Sequence, residues 1–115
     1  MTPQQLLALP EEITLTGYIK NREVAINGEW LNPDLSKLIF TGYDHTNGFG
    51  WGKMYEGTEQ LSLAVLMEFM SIRDALTYYQ EFKYLVITEL PMSNFDVVIP
   101  LRKEIGRIME MKILK

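Results

Sequence analysis

The chain has 115 residues, no cysteine, 47% hydrophobic residues and a formal net charge of −4. A chain of that length forms one domain and buries roughly 65% of its unfolded surface, so its core needs no metal staple, and without cysteine it has neither a disulfide nor a thiolate metal centre. The acidic balance, with a pI near 5.0, argues against a nucleic-acid binder, which carries a basic face.

Residues 1–12 lack the basic start and long apolar run of a secretory leader, and a cytoplasmic location is expected. Thr2 followed by Pro3 reads as an N-cap and first helical residue. One or two helical turns follow and stop before Pro10, which makes residues 1–12 a short helical extension and residues 13–115 a single domain. Ile13, Leu15 and Ile19 alternate with Thr14, Thr16 and Tyr18, the two-residue period of a strand. A turn at Asn21-Arg22 leads to a second strand through Val24 and Ile26, and Asn27-Gly28 is a strong hairpin signal. The chain returns through residues 29–31 until Pro33, which cannot donate to a ladder, ends the pairing. Residues 38–40 predict a further strand, and residues 49–54 pair back onto the sheet after a polar loop.

The second half reads as helical. In residues 61–70 only Ser62 and Glu68 are polar, and a helix apolar nearly all round is buried on most sides. The segment is too short to span a membrane, which takes about 20 apolar residues. Thr58 is the expected N-cap and Glu59 complements the helix dipole. Ser71 with Asp74 opens a second helix, whose stripe is Ile72, Ala75, Leu76, Tyr79, Phe82, Val86, Ile87 and Leu90, stopped by Pro91. Residues 95–99 suit one more strand. A last helix after Pro100 turns Leu101, Ile105, Ile108 and Met109 inward, weakened by Gly106 by about 1 kcal/mol relative to alanine. The fold class is therefore α+β: a small antiparallel sheet packed against two or three helices.

Four sets of residues are candidate functional groups. The first is the segment from Asp44 and His45 through Phe49 and Trp51 to Thr58, in which Gly48, Gly50 and Gly52 alternate with the two aromatics. Glycines permit close backbone approach, aromatics offer stacking faces, and the following helix N-terminus suits an anion. The competing reading is structural: the glycines relieve crowding while Phe49 and Trp51 pack on the core helix. The spacing matches neither a dinucleotide fingerprint nor a P-loop. The second set is Asp44, His45, Glu56 and Glu59 as acid–base or metal-binding groups, but no two share a diagnostic metal spacing. No metal site and no catalytic constellation is assigned, and no cofactor is called for. The third is Lys83, which either reaches an anion near the glycine segment or lays its stem on the core with its head in water. The fourth is Trp30 with Tyr78 and Tyr84: the two tyrosines fall off the main stripe, and the set either anchors a protein interface or packs at the edge of the core.

Val24-Ala25-Ile26-Asn27-Gly28, Leu31 with Pro33, Gly48-Phe49-Gly50-Trp51-Gly52, Gln60-Leu61-Ser62-Leu63-Ala64, and Tyr79 with Phe82-Lys83 together resemble a family of small bacterial and phage proteins catalogued as a domain of unknown function. The resemblance runs over residues 18–109. The chain departs from the family pattern at Lys53-Met54-Tyr55 and at Gly57-Thr58. The resemblance implies genes carried by phages and mobile elements and supplies no catalytic residues. The leading expectation is a small non-enzymatic binding protein that inhibits a host defence factor through protein–protein contact, or self-associates. A nucleotide- or small-anion-sequestering module built on residues 48–58 is the alternative, and a small enzyme using His45 and neighbouring carboxylates is the third.

Overall fold

The computed structural model describes residues 1–39, 48–53 and 57–113. Four strands form one antiparallel sheet: β1 (Ile13–Tyr18), β2 (Glu23–Ile26), β3 (Glu29–Trp30) and β4 (Phe95–Ile99), in the order β3-β2-β1-β4. The alternation of β1 sets the two faces. Ile13 and Leu15 are buried, and Leu15 stands opposite Ile26 on β2 and Val97 on β4. Thr14, Thr16 and Tyr18 lie on the other face, with Ala25 opposite Thr16 and Trp30 opposite Ala25. The β2–β3 hairpin closes as its sequence dictates. Asn27 and Gly28 have φ of 51° and 85°, the two left-handed residues of a type I′ turn. The turn is tied to β1, because the Asn27 side-chain oxygen accepts from the Thr14 amide at 2.9 Å.

The inner face is covered by α3 (Thr58–Met67), α4 (Ile72–Leu85) and α5 (Leu101–Ile113), with two short helices, α1 (Pro3–Ala8) and α2 (Asp34–Lys37), at the periphery. In α3 every residue from Leu61 to Leu66 is buried, as an all-round apolar helix requires. Its cap differs from expectation. Gly57, at φ 82°, is the N-cap and Thr58 is already helical, because the chain enters through a left-handed residue that a β-carbon would strain. Ser71 caps α4 as expected, its hydroxyl accepting from the Asp74 amide at 3.1 Å. α4 stops earlier than its apolar spacing predicts. Val86 leaves the helical region (φ −121°, ψ −57°), and Ile87–Glu89 form a separate 3₁₀ turn. Val86, Ile87 and Leu90 remain buried after the break.

Two expected strands are replaced. Residues 34–37 form α2: the Asp34 amide donates to the Asn32 side chain, and the Ser36 hydroxyl donates to the Pro33 carbonyl. These local polar bonds outcompete a strand over residues 38–40, and Leu38 is 83% exposed. Phe40, and Met54 at the end of the second expected strand, lie outside the described residues. Residues 49–53 run as a strap rather than a strand. The Phe49 amide donates to the Arg22 carbonyl at 2.9 Å and the Gly52 amide to the Ile87 carbonyl at 2.8 Å, so the bonds go to two different turns and build no ladder.

The N-terminal extension docks on α5. Thr2 and Gln5 form a complete capping box. Leu9 is buried, and its carbonyl accepts from the Arg102 guanidinium at 2.8 Å and 3.2 Å. Gly106 lies 3.8 Å, measured from an ideal β-carbon position, from a Leu6 methyl, so the residue that weakens α5 is also where α1 comes close. The radius of gyration, 13.3 Å, is that of a single domain of this length. Among the described residues no helix is long and apolar enough to cross a membrane.

Candidate functional site

The glycine–aromatic strap is built by close packing. A β-carbon on Gly48 would sit 2.4 Å from the Arg22 side chain, and one on Gly57 would sit 2.5 Å from the Gly50 amide nitrogen. Gly52 has φ of 64° and presses on the Leu90 carbonyl. Phe49 and Trp51 point inward and are buried. The Trp51 indole donates to the Ser93 carbonyl at 3.0 Å, and its ring meets Phe95 edge-on at 5.1 Å. Both rings belong to the buried hydrophobic cluster, as the structural reading of this segment expects, and Phe49 also lines a surface cleft beside Arg22. Thr58 is buried as well, and Gly57 beside it lies against the Gly48–Gly50 backbone, so this end of α3 is crowded by the chain itself. Asp44, His45 and Glu56 lie outside the described residues.

Lys83 follows neither expected course. It is only 8% exposed, and its ammonium donates to Glu59 at 2.9 Å and to the Gln80 side chain at 3.1 Å. It also sits 4.5 Å from the centroid of the Tyr84 ring. Burying an ammonium is costly unless such partners surround it. Lys83 therefore ties α4 to the first turn of α3 instead of reaching water.

The aromatics of α4 exchange the places their spacing assigns. Tyr78 is 5% exposed and Tyr79 is half-buried, while Ile72 and Leu76 are exposed. The buried stripe is Ala75, Tyr78 and Phe82, with steps of three and four residues. Apolar residues cover a wide arc of this helix, so periodicity alone leaves the inward direction uncertain by one residue, about 100°. Burial, and secondarily the Asp74 carboxylate, push the Tyr78 hydroxyl above its ordinary pKa. Tyr84 remains on the surface, 65% exposed.

What the fold does present is the outer sheet face. Trp30 is 62% exposed and Tyr18 46%, with ring centroids 5.5 Å apart and planes tilted by 54°. The two rings meet over β2, which lies between their strands, and brace each other on this face. Trp30 stands between two clefts. One, of about 350 Å³, is lined by Arg22, Leu31, Pro33 and Lys37 beside Gly48. The other, of about 340 Å³, is lined by Asn27, Glu29, Glu68 and Phe69. Tyr18 was not among the sequence candidates. The signal was in the hairpin register: Asn27-Gly28 sets Trp30 opposite Ala25, and the alternation of β1 sets Tyr18 on the same face. Among the described residues no group of three or more His, Cys, Asp or Glu could hold a metal ion.

These features define a small α+β domain whose open antiparallel sheet face displays a tryptophan–tyrosine pair. The chain belongs to the family of unknown function DUF6166, whose pattern matches residues 16–111. That span holds the hairpin, the strap and all three long helices up to the last turn of α5, and leaves α1 outside. No curated protein and no solved structure matches the chain.

Proposed function

We propose that this is a non-enzymatic binding protein that contacts a protein partner through the sheet face centred on Trp30 and Tyr18. One observation carries the reading: a tryptophan 62% exposed, braced by Tyr18 and standing between two clefts. Tryptophan and tyrosine dominate the energetic centres of interfaces because they bury large rigid surfaces at low entropic cost. The finer reading is a phage or mobile-element protein that works in the cytoplasm and blocks a host defence factor. It rests on small size, acidic charge and the kind of family the motifs resemble.

A second reading draws on the first cleft. Arg22 and Lys37 line it beside the Trp30 ring and Gly48, with Glu23 as the one carboxylate against them among the described residues, and the two cations with the ring favour a planar anion such as a nucleotide. Affinity purification from a related host, followed by native mass spectrometry, separates the two. A co-purifying protein retained by the wild type and lost from Trp30→Ala, with thermal stability unchanged, supports the interface. Extra mass of a few hundred daltons lost from Lys37→Ala supports the anion instead. A protein partner held equally by Trp30→Ala would remove the sheet face from the account.

A further inference from the structure

β4 is the outermost strand on the side of the sheet away from Trp30. One edge of its backbone pairs with β1. The other edge has no hydrogen-bond partner among the described residues. Natural sheets blunt such edges with lysine, proline or a bulge. Phe95–Ile99, of sequence FDVVI, contains none of these, and its single charge, Asp96, accepts a hydrogen bond from Thr16 at 3.2 Å. Alongside lies a groove of about 220 Å³ that includes Val97 and Ile99 of the strand itself. Leu90 and Pro91 form part of its wall, and Glu89 lines it without an ion-pair partner among the described residues.

We propose that the free edge of β4 and this groove bind an extended peptide segment of a partner protein. The segment adds a fifth strand beside β4. The two-residue period of a strand then turns every second side chain into the groove against Val97 and Ile99, so these positions are apolar. A lysine or arginine at the end of the segment meets Glu89. Charge argues against a second copy of this chain as the occupant. Its own β4 carries no cation to meet Glu89, and each copy has a net charge of −4. The proposal does not depend on the Trp30 surface, which lies towards the opposite edge of the sheet.

The probe is a synthetic seven-residue peptide alternating valine and threonine with arginine at each end, titrated into the isotopically labelled full chain. At about 1 mM probe, a concentration suited to weak strand addition, the amides of β4 shift, and those of Asp96 and Val98, which face away from β1, gain protection from hydrogen exchange. Methylating alternate peptide nitrogens removes several main-chain hydrogen bonds and weakens binding by about tenfold or more. Glu89→Lys, an exposed substitution that leaves the fold intact, weakens the arginine peptide by about fivefold and favours a glutamate-ended version. Unmoved β4 amides, or equal binding by the methylated peptide, would overturn the proposal. So would concentration-dependent dimerisation through β4, which would hand the edge to a second copy.

Discussion

Gly17 and Phe95 are cross-strand neighbours, and each explains the other. A β-carbon on Gly17 would lie 2.1 Å from the Phe95 ring, and that ring is held from another side by Trp51 at 5.1 Å. Gly17→Ala therefore overpacks a site with nowhere to yield, with an expected loss of about 1–3 kcal/mol in denaturant unfolding. Gly17→Ala combined with Phe95→Leu should recover part of that loss, the coupling expected of side chains in contact. Tyr78 gives a pH-dependent test. Its hydroxyl titrates higher in the folded protein than in the unfolded chain, through burial first and Asp74 second. The folded state then holds this proton more tightly. The associated stability is complete below the ordinary tyrosine pKa, near 10, and is lost as pH rises through the folded value. Chemical denaturation from pH 8 to 11 should show a decline in the wild type that is shallower in Tyr78→Phe. An identical slope in both would assign the alkaline loss to other groups.

At the scale of elements, the legible parts are those where local chemistry and burial agree. The alternation of Ile13 and Leu15, the Asn27-Gly28 turn, the apolar run after Leu61 and the Ser71 cap each have a local cause, and each element forms. Ser71→Ala removes the hydroxyl that satisfies the Asp74 amide and should cost about 1 kcal/mol, read as a lower thermal midpoint. Illegible parts are those settled by distant partners. The break at Val86 follows no proline or glycine, and the 3₁₀ turn after it supplies the Ile87 carbonyl that receives the strap at Gly52. Residues 49–53 have strand-like composition, but their amides find a turn and a 3₁₀ carbonyl instead of a neighbouring strand. α2 was hidden because its anchors are nonlocal as well as local: Ser36 is buried and accepts a hydrogen bond from Gln60 on α3. The candidate site was half visible. Trp30 could be singled out as an aromatic anchor, whereas its support by Tyr18 required the register of two strand pairs.

At the scale of the whole molecule, two exposed surfaces among the described residues carry aromatics, and a single partner would tell them apart. One is the sheet face with Trp30 and Tyr18. The other is the solvent side of α4, where Leu76 and Tyr84 are two helical steps apart and both exposed. They differ in how well each is set up to bind. Trp30 stands between two clefts, so a partner can surround it and exclude water, the condition under which an aromatic becomes an energetic centre. Tyr84 has the Lys83 ammonium 4.5 Å from its ring centroid and lines neither of the two clefts beside Trp30. Trp30→Ala should therefore weaken a protein complex by about 2 kcal/mol or more, roughly thirtyfold, while changing folding stability by only about 0.5 kcal/mol. Tyr84→Ala should leave the affinity within about twofold of wild type. Calorimetric titration of the purified partner against both variants, beside their unfolding curves, measures all three quantities. The reverse pattern, with Tyr84 essential and Trp30 dispensable, would move the interface from the sheet to α4. Comparable losses in both would mean a partner large enough to reach around the domain from one layer to the other.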